Sequence, residues 1–379
     1  MPTSPSPLVT LDRVHAAREG AAELGIDLLV VTPGSDLRYL CGYNAHAMER
    51  LTALAVPRRG EPFLVVPRLE APMVAAGPAG ALGLQVLAWD ETDDPFALLA
   101  RTAVDRLGAA PARVAVGART WAEHALGVQR ALPGAALELA GPVVDRLRMV
   151  KSPAEVAELA AAGAAIDRVH ARMGEWLRVG RTEREVGADV AAAIRAEGHV
   201  GVDFTIVGSG PNGASPHHEL SDRVIEAGDL VVVDIGGETA TGYRSDCTRT
   251  YAVGRAPGPD VADWYGVLHE AQRAATAAVR PGVTAEQVDA AARDVIAGAG
   301  WGEYFIHRTG HGIGLDTHEA PYVVAGNDLP LAPGMAFSVE PGIYLPGRCG
   351  ARIEDIVVCT EDRAAILNNG PRELAILAG

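Results

Sequence analysis

The sequence predicts an α/β domain followed by an α+β domain, in which a curved antiparallel sheet is backed by helices. Three observations carry that expectation. The chain has 379 residues, more than the roughly 250–300 at which a single core stops growing. Up to about residue 139, helix-like stretches alternate with short apolar strands. Beyond that point, longer strands from distant parts of the sequence are interrupted by helices.

In the first region the helical stretches are LDRVHAAREGAAELG, PFALLARTAVDRL and TWAEHALGVQRAL, and the strands are LLVVT, LTALAVP, FLVVP, LQVLAW and RVAVG. The segment 140–153, AGPVVDRLRMVKSP, opens with Gly141-Pro142 and closes with Ser152-Pro153, so it reads as a crossing between domains 1–145 and 146–379. Ser152, Pro153 and Glu155 have the pattern of an N-cap, an N1 proline and a capping-box acid, opening an alanine-rich helix through Trp176. A further helix is expected at about 182–198, and two more near 260–279 and 284–299. The strands are DFTIVGSG, DLVVVDIGGETATGYRSDCTRTYAV, MAFSVEPGIYL and ARIEDIVVCT.

Composition narrows the function. A chain 48% hydrophobic and 21% charged, with a net charge of -15, is an acidic globular protein, and such a surface repels nucleic acid. MPTSPSPLVTLD lacks the features of a signal peptide, and no uninterrupted apolar run reaches membrane-spanning length, so a cytoplasmic location without a membrane partner is expected. The four cysteines are scattered, which indicates neither a zinc ribbon nor a disulfide framework. Lys151 is the only lysine, so P-loop and Schiff-base chemistry are nearly excluded.

The acids on the second region's strands then need an explanation. Asp234 in DLVVVDIGG, Asp246 in YRSDCTRTYAV, Glu340 in FSVEPGIY and Glu354 in ARIEDIVV are each embedded among β-formers. Buried carboxylates are costly unless paired, protonated or metal-bound. Taken singly, each has a plain alternative: Asp234 as a turn residue, Asp246 beside Arg244 or Arg249, Glu354 beside Arg352. Jointly, with His311 on the glycine-bracketed loop HRTGHGIGLDTHEAP, they point to a metal centre. The spacings 234 to 246 and 340 to 354 suit two hairpins that present four carboxylates to one volume. Four acids and one imidazole suit two divalent ions, and oxygen-rich ligation favours Mn, Co or Fe over a thiolate-type zinc site.

Five segments, D-I-G-G, S-D-x-T-R-T, H-G-I-G-L, V-E-P-G-I-Y and R-I-E-D-I-V, resemble in order those of the pita-bread metallopeptidases: Xaa-Pro dipeptidases (prolidases), aminopeptidase P and methionine aminopeptidases. The resemblance covers about residues 150–370, and a leading α/β domain of suitable size resembles the creatinase-like domain of the proline-specific members. It implies that Asp234 is a terminal ligand, that Asp246 and Glu354 bridge two ions, and that His311 and Glu340 complete the other. It also implies site roles for His217, in PNGASPHHELSD, and His318, in L-D-T-H-E-A-P; His218 would lie behind the site or on the surface and His307 would be structural. The implied cofactor is a pair of divalent ions, Mn first, with Co, Fe or Zn as alternatives.

The resulting mechanism has two ions holding a shared, acidified water as hydroxide. Glu340 relays its proton, His318 and His217 stabilise the oxyanion and help protonate the departing proline nitrogen, and Gly310, Gly312 and Gly314 let backbone approach the metal closely. The substrates are small proline-containing peptides, since an Xaa-Pro bond lacks the N–H by which ordinary proteases grip. A dipeptidase is the first reading and aminopeptidase P the alternative; a non-catalytic pita-bread binding module and a creatinase-like C–N hydrolase rank below them. Candidate substrate contacts are Arg352, Arg50 in the loop NAHAMERL, and Tyr322, with Phe204 as a further guess for the proline pocket. Pro321 is followed by tyrosine, where one prolidase subgroup carries an arginine. The assembly expected from the resemblance is a homodimer.

Overall fold

Four aliphatic residues in a row, Leu28–Val31, make a stable strand only where both of its faces are covered. A computed structural model, which describes residues 8–378, shows how this is met. The chain divides after Arg148 into two compact units, each with its own core.

In the first unit the elements run α1 (Leu11–Glu23), β1 (Leu28–Val31), α2 (Ser35–Cys41), β2 (Ala53–Pro57), β3 (Phe63–Pro67), α3 (Ala71–Ala76), α4 (Pro78–Ala81), β4 (Gln85–Trp89), α5 (Pro95–Leu107), β5 (Arg113–Val116), α6 (Ala122–Ala131), β6 (Ala136–Leu139) and α7 (Gly141–Met149). The strands form one mixed sheet in the order β4-β3-β2-β1-β5-β6, antiparallel across β1–β2 and β2–β3 and parallel elsewhere. Leu28 and Val30 turn toward Leu99 of α5 and Val128 of α6, so Leu29 and Val31 face the other side, where α1 packs on β1 and β2. Segment 141–149 is a helix rather than a bare crossing, because a proline in the first turn is compatible with helical φ and Val143 and Val144 are buried.

The second unit opens with α8 (Pro153–Ala171), whose N-terminus is closed by the expected reciprocal Ser152–Glu155 capping box. There follow α9 (Glu183–Ala196), β7 (His199–Ser209), β8 (Leu230–Thr239), β9 (Arg244–Val253), α10 (Pro259–Ala278), α11 (Ala285–Gly298), β10 (Gly310–Gly312), β11 (Glu319–Val323), β12 (Ala336–Val339), β13 (Gly342–Leu345), β14 (Cys349–Arg352), β15 (Asp355–Cys359), β16 (Ala364–Ile366) and β17 (Ala375–Leu377). One sheet runs β17-β9-β8-β7, a second β11-β10-β12-β15-β16, and β13 pairs with β14 as a separate hairpin. Residues of α8 and α9 share a core with β7, β8 and β9, and residues of α10 and α11 share another with β12 and β15. This is the α+β arrangement of sheets backed by helices that the sequence predicts, antiparallel except where the edge strand β17 runs parallel to β9. Both expected hairpins form; the turn of the first carries Gly242 at φ 95°, a left-handed value open to glycine. Asp234 sits in the interior of β8 rather than at its end.

Candidate metal centre

Alternation along β9 sends Asp246, Thr248 and Thr250 to one face and Cys247, Arg249 and Tyr251 to the other. Across the ladder Asp234 stands opposite Thr248 and Asp246 opposite Gly236, so the two aspartates are diagonal neighbours on one face. The threonines seat Glu354 and its segment. Thr248 Oγ1 donates to Glu354 Oε2 (2.7 Å), Thr250 Oγ1 donates to the Arg352 carbonyl (3.0 Å), and the Glu354 N–H donates to the Thr248 carbonyl (3.1 Å). From the opposite face of β9, Arg249 donates to the Glu354 carbonyl (2.6 Å) and to Asp355 Oδ1 (2.8 Å), locking the same segment.

His311 and Glu340 arrive from β10 and the end of β12. Ser338 Oγ accepts from the His311 N–H (3.0 Å) and donates to Glu340 Oε1 (2.9 Å), while the Glu340 N–H donates to the Thr309 carbonyl (2.8 Å). His311 Nε2 lies 3.2 Å from Glu340 Oε1 and 3.7 Å from Asp246 Oδ2. Potential ligand atoms gather in three overlapping groups, each within 4.8 Å: Asp234–Asp246–Glu354, His311–Glu340–Glu354 and Asp246–His311–His318. The glycines flanking His311 serve its neighbours more than a metal. A Cβ at Gly310 would run into the Ser338 carbonyl and one at Gly312 into the Ala320 carbonyl, so their bareness lets β10 fit between β12 and β11.

The electrostatics mark a site short of positive charge. Burial pushes Asp246 and Glu354 well above the usual carboxylate range, and the surrounding carboxylates push them further. Asp234 is raised by burial, against the opposing pull of Arg352. Glu340 is held low: burial would raise it, but the His311 hydrogen bond and charge outweigh that. Asp234 Oδ1 and Asp246 Oδ1 are buried without a hydrogen-bond partner, and orphaned carboxylate oxygens in a mixed oxygen and imidazole cage fit divalent cations.

The other predicted residues fall at varying places. Arg352 is buried, and its donors go to Asp234 Oδ2 (2.5 Å), the Tyr344 hydroxyl (2.7 Å), Thr248 Oγ1 (3.0 Å) and the Pro216 carbonyl (3.4 Å). It therefore braces the Asp234 carboxylate and the loop that carries His217. His217 is exposed and near enough to His318 and His307 to repel their protonated forms. His218 sits behind, 2.7 Å from the buried Glu183, which also accepts from Ser209, Asn212 and Ser221. His318 lies with its ring 3.8 Å from the His311 ring, and its Nδ1 accepts from Arg308 (3.2 Å). Burial first, and then His311, lowers the His318 pKa to about 4.

His307 is a strut: its Nδ1 faces the Arg308 carbonyl (2.7 Å), which requires Nδ1–H and leaves Nε2 to accept from the Tyr344 hydroxyl (2.9 Å). Tyr322 stands opposite His311 in the β10–β11 ladder. Phe204 packs over Gly236 and fills space there. Arg50 belongs to the first unit, where it pairs with Glu91 (2.7 Å) and Glu49 (3.0 Å). Sequence reasoning missed Thr248, Tyr344, Arg308 and the buried Lys151–Glu319 pair (2.5 Å) beside His318. Lys151 carried the one available signal, as the sole lysine of an arginine-rich chain.

Residues 157–361 match the metallopeptidase family M24, and residues 13–150 match the creatinase/prolidase N-terminal domain. The chain belongs to metallopeptidase family M24. It is a peptidase with the creatinase-type leading domain and pita-bread fold of that family, and membership implies divalent metal ions. Among solved structures, the dipeptidase PepE from Mycobacterium ulcerans superposes with a TM-score of 0.92 at 58% identity, covering 97% of each chain. The "Probable dipeptidase PepE" of Mycobacterium bovis is 57% identical over 365 residues, 96% of each chain. An Xaa-Pro dipeptidase from Lactobacillus helveticus is 35% identical over 362 residues, 93% of this chain and 95% of the relative. No helix among the described residues of this M24 peptidase is long and apolar enough to cross a membrane.

Proposed function

We propose that this M24 peptidase is an Xaa-Pro dipeptidase working with two divalent ions, manganese first among them. The observation that carries the reading is the convergence of Asp234, Asp246, His311, Glu340 and Glu354 with two buried carboxylate oxygens left unpartnered. These five side chains would hold the ions, Asp246, His311 and Glu354 each lying in two of the overlapping ligand groups. When bound, such ions acidify a water and polarise the scissile carbonyl.

The chain's own residues do the rest. Glu340, kept ionised by His311, is unprotonated at neutral pH and so open to take the water's proton and pass it on. His318 stays neutral at pH 7, and with Nδ1 accepting from Arg308 its proton resides on Nε2, a donor for charge developing on the carbonyl oxygen. His217, exposed on a loop held by Arg352, would protonate the departing proline nitrogen. The substrates are small proline-containing peptides, and the assembly is a cytoplasmic homodimer, which light scattering would check.

The test compares Ala-Pro with Ala-Pro-Ala. Activity should disappear on chelation and return with Mn, and only Ala-Pro should be cleaved efficiently. Efficient release of alanine from Ala-Pro-Ala would make the protein an aminopeptidase P, and activity indifferent to chelation would end the metal reading.

A further inference from the structure

Glu183, the first residue of α9, is a wholly buried carboxylate outside the metal cage. Its Oε1 accepts from the Ser209 N–H (2.8 Å), the Ser209 hydroxyl (2.7 Å) and the Asn212 amide (3.0 Å). Its Oε2 accepts from His218 Nε2 (2.7 Å), the Ser221 hydroxyl (2.6 Å) and the same Asn212 amide (3.1 Å). Burial would raise its pKa, but the bonds from Ser221 and Ser209 outweigh that and hold it below the usual carboxylate range.

All of these donors belong to one stretch of chain, 209–221, which leaves the end of β7 and carries His217. Ser209 and Ser221 are its two ends and Asn212 and His218 its middle, so a single carboxylate closes the loop and orders what lies between. His217 is gripped through both of its neighbours. The Pro216 carbonyl accepts from Arg352 Nη1 (3.4 Å), the His218 ring donates to Glu183, and the His217 side chain is left exposed. We propose that Glu183 is a positioning residue for His217: it touches no substrate, and it fixes the loop so that the His217 imidazole reaches the departing proline nitrogen. This rests on the proton-donor role given to His217 above.

The carboxylate is matched to its surroundings closely enough for an isosteric change to test it. Each oxygen only accepts, so an amide, whichever way it turns, sets its own donors against those of one end of the loop. In the Mn-loaded protein Glu183→Gln should lower kcat for Ala-Pro by on the order of 10- to 100-fold, with KM and the calorimetric affinity for Mn unchanged. His218→Leu should lose part of the same activity, and His218→Gln, whose amide donates in place of Nε2, should keep most of it. The deciding measurement is a double-mutant cycle with His217→Gln. If Glu183 acts through His217, adding Glu183→Gln to the His217→Gln protein costs less than about 2-fold further in kcat, the scatter expected of independent sites. Should Glu183→Gln not fold, His218→Leu carries the same cycle. An equal fold-loss in both backgrounds is what general loosening produces, and it would overturn the assignment while leaving the His217 reading intact. A His217→Gln protein with wild-type kcat overturns both.

Discussion

Arg352 is a cation set among the buried acids of the centre, and its value depends on what else is there. With ions bound, Asp234 has other positive charge beside it; with ions removed, Arg352 alone offsets it. Arg352→Met should therefore destabilise the chelated protein by about 3–5 kcal/mol, the cost of stranding a buried charge. Urea unfolding with and without Mn checks this: the loss should shrink when the metal is present, and an equal loss in both would deny Arg352 its part in the charge balance. A second residue reports on proton linkage away from the cage. His170 is buried with Nε2 facing the Cys247 carbonyl (3.1 Å) and Nδ1 facing the Tyr251 hydroxyl (2.9 Å); burial, and then Arg249, lowers its pKa from 6.5 to about 3. The folded protein refuses a proton that the unfolded chain accepts. Its contribution is thus complete above pH 6.5 and is lost as pH falls toward 3, by up to about 1.4 kcal/mol per unit. In chelated protein, acidification from about pH 7.5 to about 5.5 should lower the Tm of wild type more than that of His170→Gln. Equal declines would refute it.

At the scale of elements, the site is a set of strands held in register by small residues and caps. A methyl group at Gly312 meets the Ala320 carbonyl, so Gly312→Ala should part β10 from β11, cost about 1–3 kcal/mol as overpacking does, and weaken Mn binding because His311 moves with the strand. Calorimetric titration with Mn would read the affinity, and an unchanged affinity would contradict that coupling. Ser152→Ala, at the capping box of α8, should cost about 1 kcal/mol and leave Mn affinity alone. What the sequence discloses follows the same line. The capping box, the apolar strands and the four acids on β-formers were legible because each is a local pattern of residues. β10 was not, since Gly-His-Gly has no strand propensity and becomes a strand only because two neighbours pair with it. Helix α7 was obscured by its own Gly-Pro opening. Arg308 and Tyr344 could not be singled out, because their roles arise from partners 10 and 8 residues away that fold back onto them.

For the whole molecule, the five acid and imidazole side chains of the centre all lie in the second unit. A ligand that binds only the folded state stabilises it by about 2.7 kcal/mol at a hundredfold excess over Kd. Hydrogen exchange with and without Mn should accordingly show slowed amides in β8, β9, β10 and the 352–355 segment, with the six-stranded sheet of the first unit unaltered. Uniform slowing across both units would contradict a centre confined to the second. The lone lysine adds a practical property. Lys151 Nζ is sealed against Glu319, its side chain only 1% exposed, so the folded chain withholds its single side-chain amine from acylating reagents. Dye incorporated at that one atom counts excursions in which the second unit opens, giving a built-in clock for kinetic stability that needs no engineered label.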